Sequence, residues 1–290
     1  MADLERILRL PDLIAADDWL QRQGGVLATR RADAWRFWQA AVQAPGERSL
    51  AWMDLRSEQA GFPLQVDEAH LLLQMALENG QLLAAEWLYM RGAPLENPRE
   101  GACLEIELEL IHAAAMGGHP GAIHWVKAHG GQIEPPGDTP MPPLRMAVTA
   151  NHVRAFGAVQ ALLDAGANAA RVGPEHNPGN VLENLMDSVF IFHGRGRDGI
   201  ESFRKLWDLL VNAGANPRVL GRSGQTAEDR LLISPQADWY TKRQEEERAR
   251  QREERKRALE AASITGGVPE RTYHLGTSPT LQRMRRHRPR

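Results

Sequence analysis

The hexapeptide Gly194-Arg195-Gly196-Arg197-Asp198-Gly199 has the Gly-x-Gly-x-x-Gly spacing that lets a backbone turn approach a pyrophosphate. It follows apolar Val189-Phe190-Ile191-Phe192 and precedes a helical pattern, as a dinucleotide-binding turn does. That chemistry also requires a second strand ending in an acid for the ribose, and none follows at the required distance. The glycines read instead as a flexible inserted loop that lengthens a turn over 193–199. Arg195 and Arg197 then offer guanidinium forks to a partner's carboxylate or phosphate. Four histidines, His112, His119, His124 and His129, raise the question of a metal. His124 and His129 are five apart rather than four, and no thiolate or carboxylate cluster joins them, so no metal is expected. The sequence contains no Gly-x-Ser-x-Gly elbow, phosphate-binding P-loop or His-Glu-x-x-His pair, and the chain reads as a non-enzyme without cofactor or small-molecule substrate. The stretch "RMRRHRPR" at 283–290 could neutralise nucleic-acid phosphates, but Tyr273 is its one aromatic neighbour for base stacking. An acidic protein surface accounts for the same charges.

The elements that carry these residues recur. With Gly92, Gly130, Gly166 and Gly214 placed under one another, "LQMALENGQLLAAEWLYMRGAPLE" (73–96) aligns without a gap on "IHAAAMGGHPGAIHWVKAHGGQIE" (111–134). "LRMAVTANHVRAFGAVQALLDAGANAA" (144–170) needs three more residues in its middle, and 182–218 carries a longer insertion at the same place. "RSGQTAEDRLL" (222–232) opens a further copy. Each copy predicts two short helices. The first is rich in small residues; a turn of the type Asn79-Gly80, Gly117-Gly118 or Asn151-His152 follows; the second is bulkier and stops at Gly. One such pair cannot bury its own apolar face, so the copies must stack.

These residues resemble the ankyrin repeat. Ile111, His112, Ala114, Ala115, Gly118, His119 and Gly130 fall on its consensus positions, as do Leu73, Ala76, Asn79, Gly80, Gly92 and Ala93, and Gly166-Ala167-Asn168 and Gly214-Ala215-Asn216 repeat its ending. The resemblance spans roughly 67–234. In the consensus the histidines bond to backbone at turns, which places His112 and His119. The Thr-Pro-Leu-His opening is mostly lost: Gln74, Arg145 and Asn184 stand where His is expected, and Thr226 alone keeps the Thr. The resemblance implies a groove made by the first helices and by finger segments at 94–99, 132–139, 169–177 and 217–223. It thereby nominates Glu96, Arg99, Glu134, Asp138, Arg171, Glu175, His176, Arg218 and Arg222 as partner contacts, with Arg195 and Arg197 at the opposite edge.

Charge separates the chain into two parts. Residues 1–238 hold 21 Lys and Arg against 30 Asp and Glu, whereas 239–290 hold 14 against 7, so an acidic body carries a basic tail. The charged amino terminus and the lack of any run of about 18 apolar residues predict a cytoplasmic protein without a membrane span. Cys103, the single cysteine, has no partner for an intrachain disulfide. Six of the eight tryptophans read as core, while Trp19 and Trp239, near the ends of the array, read as half exposed. In 241–262, Glu246–Arg250 and Glu253–Arg257 stand in the favourable order on a solvated single helix without a coiled-coil seam. The expected architecture is all-α: degenerate capping repeats at 1–66, an ankyrin-like solenoid at 67–235, a charged helix at 236–262 and a disordered basic tail at 263–290. The expected function is an adaptor that binds a protein, including a toxin or effector to be neutralised or delivered in a bacterium. The other reading is a nucleic-acid-associated protein acting through its tail.

Overall fold

A computed structural model describes residues 2–96, 109–134, 141–150, 153–173 and 179–264. Arg99, Cys103, Asp138, Glu175, His176, the Asn151-His152 turn and the tail from 265 onward lie outside the described residues. The chain forms two compact units, Met1–Pro235 and Gln236–Arg290.

In the first unit helices come in pairs. They are α1 (Ala2–Arg9) with α2 (Leu13–Arg22), α3 (Arg31–Val42) with α4 (Arg48–Gln59), and α5 (Val66–Glu78) with α6 (Leu82–Met90). Next come α7 (Leu110–Gly117) with α8 (Pro120–Ala128) and α9 (Pro143–Ala150) with α10 (Ala155–Ala165). The following repeat has three helices, α11 (Val181–Asp187), α12 (Val189–Gly194) and α13 (Gly196–Asn212), and α14 (Ala227–Leu232) closes the unit. Among the described residues the sole β pairing is an isolated antiparallel bridge between Leu220 and Thr226.

The first helices form one row, in which α1, α3, α5, α7, α9, α11 and α14 each pack on the next. In the other row α2 meets α4, α6 meets α8, α8 meets α10 and α10 meets α13. Leu72, Leu73, Leu77, Ile111, Leu144, Val148, Leu182 and Leu185 are all buried within the first row. Each contributes about 1.5–3 kcal/mol when taken out of water, which an isolated pair could not collect. Small residues set the spacing. Ala114 and Ala115 are fully buried, and a Cβ on Gly117 would overlap the Glu78 carbonyl of the preceding first helix.

The repeat boundaries share one hydrogen-bond pattern. Gly92, Gly130, Gly166 and Gly214 all have positive φ, between 82° and 106°. The next residue returns its N–H to a carbonyl five positions back: Ala93 to Leu88, Gly131 to Val126, Ala167 to Leu162 and Ala215 to Leu210, at 2.9–3.0 Å. This is the Schellman ending, which satisfies two of the last carbonyls and needs a left-handed residue. It also closes α2 at Gly24 and α4 at Gly61, so the same local device runs through the amino-terminal helices.

The inserted segment is helical, not a flexible loop. Val189-Phe190-Ile191-Phe192 lies in α12, and the glycine-rich hexapeptide joins α12 to α13. Gly196 (φ 69°) supplies the left-handed residue at the junction, and Gly199 lets α13 abut α12, since a Cβ there would overlap the Phe192 carbonyl. Phe192 and Phe203 meet edge to face at 6.0 Å, so the insertion brings its own apolar contact. Trp19 is likewise more enclosed than its place near the chain end suggests: it is buried and edge-on to Phe37 at 5.9 Å. Trp35 and Trp87 are half-buried rather than core, and Arg91 lies over the Trp87 ring at 5.2 Å.

The second unit is described as one helix, α15 (Ala237–Ile264). Glu253 and Arg257 pair at 3.3 Å, as do Arg243–Glu247 at 3.6 Å and Lys256–Glu260 at 3.9 Å; Glu246 and Arg250 do not come within ion-pair distance. From 243 to 261 nearly every side chain is exposed, as a solvated single helix requires.

Candidate functional site

The third residue of each short first helix sits one turn inside the helix, close enough for its side chain to reach back to the N-cap amide. In α14 that residue is Asp229, whose Oδ2 accepts from the Thr226 N–H at 3.0 Å. In α7 it is His112, whose Nδ1 accepts from the Glu109 N–H at 3.0 Å, leaving the ring proton on Nε2. Burial pushes the His112 imidazole down to about 4, against the opposing pull of the Met141 carbonyl and the Glu134 charge, so the ring is neutral.

In the two intervening repeats the third residue is Arg145 in α9 and Glu183 in α11. The helix register thus moves the His-equivalent position of the fourth repeat from Asn184 to Glu183. Arg145 and Glu183 are only 4% and 9% exposed, and they turn away from local capping. Arg145 Nε donates to Asn184 Oδ1 on the next first helix. Burial lowers the Arg145 pKa, the Glu183 charge opposes this, Arg222 adds to it and Asp187 opposes it. Glu183 Oε1 accepts from the Arg222 N–H at 2.8 Å. Its carboxylate fits only because residues 179 and 221 are glycines: a Cβ on either would overlap it. Arg230 of α14 closes the group through Asp187 at 2.7 Å.

Around these side chains is a cavity of about 640 Å³, lined by Met141, Arg145, Glu183, Asp187, Arg222 and Arg230 among others. Its volume is within the range of ligand-binding clefts. The rim is a short finger whose ends are joined by the Leu220–Thr226 bridge and by a Gly221 N–H to Gln225 carbonyl bond of 2.9 Å. Arg145 Nη1 and Glu183 Oε2 are buried at the cavity with no hydrogen-bond partner among the described residues. Guanidinium groups stay protonated and do not shuttle protons at ordinary pH, so the arrangement offers charge and directional donors for recognition.

The residues nominated from sequence are distributed over more than this cavity. Arg222 lines it. Glu134 and Arg171 form a 2.6 Å ion pair between successive fingers, and Glu134 also accepts from the Asn168 N–H at 3.0 Å. Arg218 pairs with Glu228 at 2.7 Å. Glu96 is exposed after the α6 ending, and Arg195 and Arg197 are exposed at the α12–α13 junction, away from the cavity. Arg145, Glu183, Asn184, Asp187 and Arg230 were not among the nominated contacts. The signal for them lay in the lost consensus histidines of two consecutive repeats, which share a polar network across the repeat interface.

His119 and His129 serve the array, whereas His124 is exposed. The His119 ring occupies space above Gly80 of the preceding turn, where a Cβ would overlap it. His129 stacks on Trp125 at 4.0 Å, and both reach Glu86 of α6: the indole N–H donates at 2.9 Å and His129 Nε2 lies 3.1 Å away.

Two-helix units in two rows, each closed by the same glycine ending and followed by a finger, define the architecture. This is an ankyrin-like repeat fold. No family model matches the chain, and no curated protein does. Among solved structures, the human ASB11 ankyrin repeat domain is similar at 19% identity and TM-score 0.49, covering 80% of this chain and 91% of that one. The ankyrin repeat domain of Bcl-3, a member of the IkappaB protein family, matches at 18% identity and TM-score 0.43, covering 77% and 91%. A chain from the complex of the Bd0816 predatory endopeptidase of Bdellovibrio bacteriovorus with immunity protein Bd3460 matches at 20% identity and TM-score 0.32, covering 55% and 89%. In this ankyrin-like array the cavity lies in the first-helix row, at α9, α11 and α14.

Proposed function

We propose that the chain is a non-catalytic scaffold that holds a protein partner against its first helices and fingers. The observation that supports this most is the bonding between successive fingers. The carboxylate of Glu134 joins one finger to the Arg171 guanidinium and the Asn168 amide of the next, so the bases of two adjacent fingers are tied together before anything binds. Preorganisation of this kind lowers the entropy cost of association. Complementarity of shape and charge, rather than bond-making, is then the mechanism. In the finer form of the reading the partner is a toxin or effector, which a scaffold laid across its working surface neutralises by occlusion alone.

The test is affinity purification with the full chain beside a triple charge reversal, R171E/R218E/R222E, with retained proteins quantified by mass spectrometry and folding checked by circular dichroism. A protein retained by the native chain and lost from the folded variant is expected. Identical retention by both baits would overturn the proposal.

A further inference from the structure

A helix that is polar all round either bridges solvent between two parts of a chain, held by its own side-chain pairs, or is not a stable helix. The composition of α15 decides between these. From 242 to 262 it contains only Lys, Arg, Gln, Glu, Ala and Leu, six of the strongest helix formers, with no Gly, Pro or β-branched residue. Its 28 residues far exceed the ~12–15 below which an isolated helix is marginal in water. Every side chain from 245 to 260 is exposed, and Leu259, 58% exposed, is the one large apolar residue in that stretch, so there is no apolar stripe to dock on another surface. Glu253–Arg257 at 3.3 Å and Lys256–Glu260 at 3.9 Å tie successive turns to each other instead.

We infer that α15 is a rigid spacer that carries the basic segment 265–290, with six Arg and one Glu, away from the junction at 236. At 1.5 Å per residue it is about 42 Å long. That is several times the Debye length of about 8 Å at physiological ionic strength, so charges at its two ends are screened from each other. A flexible linker of the same length would have its ends about 26–32 Å apart on average and would let the segment return to the junction. The helix prevents that return. Such a spacer needs no ligand on the array and does not depend on the scaffold reading above.

The test uses the full chain carrying C103S, which removes the single thiol, with spin labels at T241C and L259C and distances read by double electron–electron resonance. One narrow distance is expected, close to the ~27 Å that a helix spans between those positions. A249P places proline in the middle of the exposed stretch and should broaden and shorten the distribution, while the near-ultraviolet circular dichroism of the array stays unchanged. A native distribution as broad as that of A249P would overturn the spacer. Hydrogen exchange gives a second reading, because a helix with nothing packed on it opens locally: amides 245–259 should exchange about tenfold or more faster than those of α7. Protection equal to that of α7 would mean that the helix is packed along its length, and would overturn the spacer equally.

Discussion

His112 shows at one residue how a repeat consensus becomes physical chemistry. Its Nδ1 takes the Glu109 amide proton, and burial holds its pKa at about 4, well below the ordinary 6.5. Between those values the unfolded chain binds a proton on this ring that the folded chain refuses. Stability is therefore fully present above pH 6.5 and falls as the pH drops toward 4. His70, donating from Nδ1 to the Pro94 carbonyl at 2.8 Å, is also held low by burial and adds with the same sign. From pH 7 to pH 5 the His112 contribution falls by on the order of 2 kcal/mol. Urea unfolding at the two pH values should show a lower midpoint at pH 5, and H112Q should flatten that difference while lowering stability at pH 7. An unchanged pH dependence in H112Q would mean that the ring titrates normally. At the same helix position in the next two repeats, burial instead encloses a charged pair, Arg145 and Glu183. Replacing Glu183 with Leu would leave the Arg222 N–H without its acceptor and Arg145 with less opposing charge, costing about 3–5 kcal/mol. A urea midpoint for E183L close to that of the native chain would show that the pair is not coupled.

At the scale of the element, the glycines divide into two physical kinds. Gly166 and Gly214 have φ of 106° and 101° with no heavy atom nearer than 3.9 Å to an added Cβ. There the penalty of substitution is conformational: G166A and G214A should each lose roughly 1–2 kcal/mol. Gly117 is helical, and its added Cβ would run into the Glu78 backbone of the neighbouring repeat. G117A must push two first helices apart, and overpacking puts its loss at about 1–3 kcal/mol or more. Thermal unfolding of the three variants should therefore rank G117A as the most damaging, and G117A should reduce the cooperativity between the repeats on either side of it. The α12–α13 insertion shows that glycine spacing alone does not separate a helix junction from a loop. Glycine at a helix junction and glycine in a mobile turn are the same letters, and only the contact of Gly199 with the Phe192 carbonyl distinguishes them.

Across the whole molecule, each repeat of the first unit touches its neighbours in the row and little else. Stability in such an array accumulates by nearest-neighbour contacts, so its ends open first. Amide hydrogen exchange should be slower in α7 and α9, which lie inside the row with first helices on both sides, than in α1. Uniform protection along the row would contradict a one-dimensional array. In the second unit, α15 is held by i,i+4 pairs worth a few tenths of a kcal/mol each, so added salt should reduce its helicity slightly, as read by circular dichroism of the native chain and an E253Q variant. The sequence by itself determined the helix pairs, their glycine endings and the Asn168 and Asn216 side chains that cap the following turn, each accepting an N–H two residues on at 2.9–3.0 Å. All of these depend on residues a few positions apart, whose types fix their own geometry. Tertiary structure decided the candidate site. Arg145, Glu183 and Arg230 come from three different first helices, and they face one cavity because stacking brings together residues far apart in the chain. No local pattern specifies which side chains stacking will leave buried with unsatisfied hydrogen-bonding groups.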